Sequence, residues 1–199
     1  GSITVIPAAA SDEDGIGRLT RHPESPGMTT LASTNAFGMH EAEKGSVLDV
    51  DIVLRKTDQV MMQYGLNPAN DENGDGDRND SYKNNRLRLI KVDAEGYELR
   101  ALKGLNLTKY PFEYLTIEFF PKLIQECGSD PTELLLYIHE SGYRFIMNPG
   151  DAGGVYDAAV ASAATTSSED VKNWAKRLVR NNSRNEGYHV NLFARLNHE

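Results

Sequence analysis

The feature that most constrains the fold is a mostly apolar run, residues 87–92, that ends at a group of acids. The run has the pattern of a buried strand. Asp93 follows it directly, and Glu95 and Glu98 lie in the first turn of a helix predicted over residues 95–105. Since an open α/β sheet binds ligands at the carboxyl ends of its strands, these acids indicate a site. A helix whose first turn is acidic for stability alone explains them equally well.

Strand-like and helix-like segments alternate along the chain, which predicts an α/β fold with a mostly parallel sheet and helices on both faces. Residues 15–44 and 148–168 lack a sustained period and are predicted to be long loops, with short strands as an alternative within the first. Ser168 is predicted to cap the last helix, which carries Trp174 and Leu178 on one face. The predicted strands are residues 3–8, 47–54, 87–92, 114–120, 143–147 and 188–196. The predicted helices are residues 57–64, 95–105, 132–141 and 168–180, with a further one around residues 123–128.

The chain of 199 residues is long enough for one α/β domain, residues 1–199, with an acidic loop insertion at residues 68–85. Its net charge of −8 argues against nucleic acid as a partner, because phosphate contacts need a basic surface. The single cysteine, Cys127, lies in a predicted helix and cannot form an internal disulfide, which favours a reducing, cytoplasmic compartment. A secretory route stays open if a signal precedes the sequence. Membrane association and oligomeric state also stay open.

Residues 91–104 read K-V-D-A-E-G-Y-E-L-R-A-L-K-G. This segment resembles the signature K-[IV]-D-x-E-G-x-E-x-x-x-L-x-G of the FkbM family of S-adenosylmethionine-dependent methyltransferases. The resemblance implies a Rossmann-like class I methyltransferase sheet, mostly parallel with an antiparallel last strand, and S-adenosyl-L-methionine as cofactor. It also implies an N-terminally truncated chain, because the family's Gly-rich cofactor loop would precede residue 3. Further segments resemble family elements in the same order: residues 3–12, 27–31, 114–120, 142–145 and 191–194.

The activity that the resemblance implies is methyl transfer, and we expect the acceptor to be a hydroxyl of a small molecule or a glycan. Carboxylates suit this reaction because they can orient a hydroxyl and take its proton. Glu98 has a structural alternative, since it could cap the helix or pair with Lys91 or Arg100, and turn chemistry explains Thr30 equally well. The candidate catalytic residues are Asp93, Glu95 and Glu118; the candidate cofactor contacts are Ser11, Asp12 and Asp93; the candidate substrate contacts are Glu98, Thr30 and His40.

Two other functions fit the sequence. One is a catalytically silent α/β module that binds a partner, or binds calcium through residues 71–82, whose Asp, Asn and Gly spacing is similar to a calcium loop. Tyr82 stands where such a loop supplies its bidentate Glu. The other is a different nucleotide-dependent enzyme that shares the sheet, because a fold does not fix a function. The five histidines show no zinc-ligand spacing, so no metal ligand is predicted outside that loop.

Overall fold

The computed structural model describes residues 3–21, 31, 48–66, 88–146, 167–184 and 190–197 of the chain. The predicted acidic insertion, the calcium-like loop and most of the predicted loop at 148–168 lie outside these ranges. In chain order the elements are β1 (Ala9–Ser11), β2 (Gly15–Arg21), β3 (Leu48–Lys56), α1 (Thr57–Gln63), β4 (Leu89–Val92), α2 (Glu98–Leu105), β5 (Tyr114–Phe119), α3 (Pro121–Glu126), α4 (Pro131–Glu140), β6 (Tyr143–Ile146), α5 (Ser168–Arg184) and β7 (Val190–Leu196).

The described strands form two small mixed sheets, so the prediction of one mostly parallel sheet was wrong. The first sheet has the order β1-β3-β2, with β1 parallel and β2 antiparallel to β3. The second has the order β4-β5-β7-β6, in which β4 and β5 are parallel. The last strand, β7, runs antiparallel to both of its neighbours, as expected. The fold is therefore mixed α/β.

The N-terminal part of the chain requires two corrections. The strand predicted at residues 3–8 forms instead at Ala9–Ser11, where the backbone pairs with β3, and residues 3–7 are exposed and irregular. Residues 15–21 form strand β2 at the start of the predicted long loop, where short strands were the alternative. The reason is that β3 offers an antiparallel partner to each of these residues, and this pairing outweighs the weak strand propensity of two glycines.

Side-chain caps fix the starts of two helices. The Asp130 carboxylate accepts a hydrogen bond from the Thr132 amide at 2.8 Å and begins α4. On α5 the cap is Ser167 and not the predicted Ser168, because the Ser167 hydroxyl accepts a hydrogen bond from the Asp170 amide at 3.2 Å. Ser168 is already the first helical residue. The two predicted helices are thus confirmed, with one cap displaced by a single residue.

The hydrophobic core lies between the second sheet and helices α2, α4 and α5. Trp174 and Leu178 on α5 are both buried, as their predicted shared face requires. The Trp174 ring packs against Phe145 of β6 with ring centroids 4.9 Å apart. Burying a large apolar side chain contributes roughly 1.5–3 kcal/mol, so this packing stabilises α5 against the second sheet. Of the helices in the described ranges, none combines the length and apolar character needed to cross a bilayer.

His139 on α4 is expected to make stability depend on pH. Its side chain is buried and its Nδ1 atom has no hydrogen-bond partner among the described residues. Burial, together with the nearby charge of Arg144, holds the pKa of His139 below its usual value. As pH falls below about 6.5, His139 is therefore protonated in the unfolded chain before it is protonated in the folded protein. The free energy of unfolding then falls by at most about 1.4 kcal/mol per pH unit.

We therefore expect unaltered protein to lose more unfolding free energy between pH 7.5 and 5.5 than the variant His139→Leu, which cannot titrate there. Urea denaturation at the two pH values measures both losses. Equal losses in the two proteins would show that burial does not depress this pKa.

Candidate functional site

A tight turn carries the acids that follow strand β4. Glu95 and Gly96 adopt left-handed backbone conformations, with φ angles of 49° and 97°. The Tyr97 amide donates to the Ala94 carbonyl at 3.1 Å and closes the turn, so that α2 begins only at Glu98. The prediction of a helix from residue 95 was therefore wrong at its start. Consequently Glu95 and Glu98 do not share a helix face.

Packing against α3 explains why a glycine stands in this turn. A Cβ atom on Gly96 would lie 2.6 Å from the Leu123 carbonyl oxygen and 2.8 Å from the Cys127 sulfur. The Cys127 thiol also donates a long hydrogen bond, at 3.7 Å, to the Glu95 carbonyl. Because α3 ends at Glu126, this cysteine follows the helix and does not lie within it. The turn is thus fixed by its neighbours, not by local preference.

The Glu98 side chain supports the same turn from within the protein. One carboxylate oxygen, Oε1, accepts hydrogen bonds from the amides of Ala94 and Gly96, at 3.0 and 3.1 Å. The residue is only 1% exposed, and burial raises the pKa of its carboxyl group although these amides lower it in part. Its other oxygen, Oε2, has no hydrogen-bond partner among the described residues. Glu98 therefore bonds to the turn that precedes α2 and does not cap the helix, while a contact of Glu98 with substrate stays a prediction.

The second sheet brings Asp93, Glu95 and Glu118 together. In the parallel pair β4 and β5, Val92 lies opposite Ile117, so Asp93 and Glu118 follow at the same edge. One carboxylate oxygen from each of the three acids lies within 4.8 Å of the other two. Asp93 is exposed and the other two acids are half-buried. We call these three residues the carboxylate cluster. The structure thus places all three predicted catalytic residues side by side.

Lys91 sets the charge of the cluster's most exposed member. Its ammonium group lies 2.7 Å from the Asp93 carboxylate, and both side chains reach solvent. The hydrogen bond and the charge of Lys91 hold the pKa of Asp93 below its usual range, although partial burial raises it. The same contact raises the pKa of Lys91. Asp93 is therefore ionised at neutral pH, and the cluster offers negative charge to a cation or a hydroxyl group.

A second group of residues holds the end of β1 against α2. The Arg100 guanidinium donates to Asp12 at 2.8 Å and also bonds to Glu13 and to the Tyr97 hydroxyl. Ser11 is fully buried next to them. Contact of Ser11 and Asp12 with a cofactor stays a prediction, and the predicted substrate contacts at 30 and 40 lie outside the described residues. The role of Arg100 was not predicted from the sequence, and its helical spacing of three from Tyr97 was the available signal.

Comparison with known proteins finds a match for the part of the chain that carries the carboxylate cluster. The family model described as Methyltransferase FkbM domain matches residues 75–145, a little over a third of the chain. The match includes the carboxylate cluster, helix α2 and strand β5 and ends within β6. It confirms the resemblance found from the sequence and indicates methyl transfer as the general activity. No curated protein and no solved structure matches the chain.

Proposed function

We propose that this chain, whose residues 75–145 match the FkbM methyltransferase domain, transfers a methyl group from S-adenosylmethionine to a hydroxyl of a small molecule or glycan. The observation that carries the proposal is the carboxylate cluster. It stands at the carboxyl ends of two adjacent parallel strands, where ligands bind in open α/β sheets. The strand order β4-β5-β7-β6 with an antiparallel β7 supports a Rossmann-like class I sheet for the domain.

The carboxylates of the cluster, which accept hydrogen bonds, fit this cofactor. S-adenosylmethionine supplies a methyl group on a positively charged sulfur, and its ribose presents hydroxyl groups. Asp93, which is held ionised by Lys91, is suited to either contact. By the resemblance, Ser11 and Asp12 at the end of β1 are further cofactor contacts, and Arg100 holds Asp12 in a fixed position for this role.

The protein's own contribution is to orient the acceptor and to take its proton. Orientation can supply several kcal/mol of the activation barrier. A positioned carboxylate adds roughly 10²–10⁴-fold in rate by accepting the hydroxyl proton. Glu118 is the best candidate for the base, because it is half-buried on β5, which lies between two other strands of the sheet. Glu95, in the adjacent turn, is suited to hydrogen-bond the acceptor.

Calorimetric titration of the full-length protein with S-adenosylmethionine tests the proposal. We expect one molecule to bind per chain, with a dissociation constant in the range of about 1 μM to 1 mM. ATP is the control ligand, and we expect it not to bind. Binding of ATP in place of S-adenosylmethionine would indicate a different nucleotide-dependent enzyme, and binding of neither would reject a cofactor site.

A further inference from the structure

We propose that Glu98 is a positioning residue for methyl transfer, which holds the turn after β4 so that Glu95 stays beside Asp93 and Glu118. This role rests on the proposed function, because positioning has a meaning only for a reaction at the carboxylate cluster. Glu98 is 1% exposed, so its side chain presents almost no surface to a substrate. It therefore acts through the turn and not by touching the reactants.

The hydrogen bonds of Glu98 fix the backbone on both sides of Glu95. Its Oε1 atom accepts from the amides of Ala94 and Gly96, at 3.0 and 3.1 Å. The Ala94 amide belongs to the peptide group that follows Asp93, and the Gly96 amide belongs to the one that follows Glu95. Because each peptide group is planar, one carboxylate oxygen sets the orientation of both groups. It thereby sets the direction in which the Glu95 side chain leaves the backbone.

The turn needs this support because its backbone conformation is unfavourable for a glutamate. Glu95 has a φ angle of 49°, in the left-handed region that residues with a Cβ atom rarely adopt. The bond from the Cys127 thiol to the Glu95 carbonyl is long, at 3.7 Å, and adds only weak support. Without the bonds to Glu98, we expect Glu95 to return to a more common conformation. Its carboxylate would then leave the other two acids, which it now meets within 4.8 Å.

The positioning role depends on the reach of the Glu98 side chain and not on its charge. Both bonds end on Oε1, and the amide oxygen of a glutamine offers the same acceptor at the same distance from the backbone. The other oxygen, Oε2, has no hydrogen-bond partner among the described residues, so no bond there requires a carboxylate. An aspartate keeps the charge but is shorter by one C–C bond, about 1.5 Å. It is too short to bond to both amides.

The test compares Glu98→Gln with Glu98→Asp in the full-length protein, with transfer of a labelled methyl group as the assay. We expect Glu98→Asp to lower kcat by about 10²-fold, the loss that a misplacement of about 1 Å can cause, while Glu98→Gln keeps most of the activity. The matched control makes the same two substitutions at Glu140, an exposed acid at the end of α4, and should leave kcat unchanged. Equal kcat in the two Glu98 variants, or a slower Glu98→Gln variant, would overturn the positioning role.

Amide hydrogen exchange, measured by NMR in the same proteins, reads the turn without any substrate. We expect the amides of Ala94 and Gly96 to stay protected in Glu98→Gln and to lose protection in Glu98→Asp, because only the aspartate lacks the acceptor. Unchanged protection in a folded Glu98→Asp protein would show that Glu98 does not hold the turn.

The Glu98→Gln variant decides the question even where Glu98→Asp does not fold. Loss of its turnover, or of its protection at Ala94 and Gly96, is sufficient to overturn the positioning role. Absence of methyl transfer by unaltered protein would reject the proposed function and this role with it, whereas the exchange rates report separately whether Glu98 holds the turn.

Discussion

Replacing Gly104 with alanine is expected to destabilise the protein by about 3 kcal/mol, the upper end of what overpacking usually costs. A Cβ atom on this residue of α2 would lie 1.8 Å from the Ser11 carbonyl oxygen and 2.6 Å from its carbonyl carbon. Both are backbone atoms at the end of β1, so no side chain can rotate away to make room. The helix and the strand must separate, which also pulls Asp12 away from Arg100. Urea denaturation of the unaltered protein and of the Gly104→Ala variant measures the difference in unfolding free energy.

Gly15→Ala is the matched control for this substitution. A Cβ atom on Gly15 would meet nothing within 4 Å. We therefore expect the unfolding free energy of the Gly15→Ala variant to stay within about 0.5 kcal/mol of that of the unaltered protein. Similar stability of the Gly104 and Gly15 variants would contradict the close approach of α2 and β1.

Replacing Glu118 with glutamine is expected to lower the turnover number for methyl transfer by about 10²–10⁴-fold. Glutamine keeps the shape of the side chain but cannot accept the acceptor's proton. Since we expect the variant still to bind S-adenosylmethionine, KM for this cofactor should change much less than kcat. The assay follows transfer of a labelled methyl group to whichever member of a panel of glycans and hydroxylated small molecules reacts fastest with unaltered protein.

Glu133→Gln serves as the control for this variant. Glu133 is an exposed acid on α4 that pairs with Lys103, and its replacement should leave kcat unchanged. Circular dichroism verifies that both variants are folded. A Glu118→Gln protein with unaltered kcat would remove this residue from the proton-transfer step and leave the cluster without its proposed base.

Much of the second sheet could be predicted because its strands and helices depend on local pattern. The apolar run before Asp93, the strand around Glu118 and the face of α5 that carries Trp174 and Leu178 all follow from the spacing of apolar residues. The meeting of Asp93 and Glu118 also follows, since parallel neighbours end at the same sheet edge. To predict this part of the site, only the order of the strands in the sheet was needed.

The remaining features depend on contacts between distant parts of the chain. The left-handed turn at Glu95 is one example, because a glutamate is an ordinary residue for a first helical turn, whereas here Gly96 packs closely against α3. The contact of Arg100 with Asp12 is another, since it joins residues 88 positions apart. Strand β2 forms for the same reason, through pairing with β3. No local pattern specifies such contacts.

The most direct test of the carboxylate cluster as a cofactor site is the affinity for S-adenosylmethionine of full-length protein that carries Asp93→Asn, compared with Asp51→Asn on the first sheet. Loss of one charge-assisted contact is worth about 1.5–3 kcal/mol, so we expect the Asp93 variant to bind roughly 10–100-fold more weakly. The Asp51 variant should bind like unaltered protein. Equal affinity in all three proteins would show that Asp93, at the end of β4, does not contact the methyl donor.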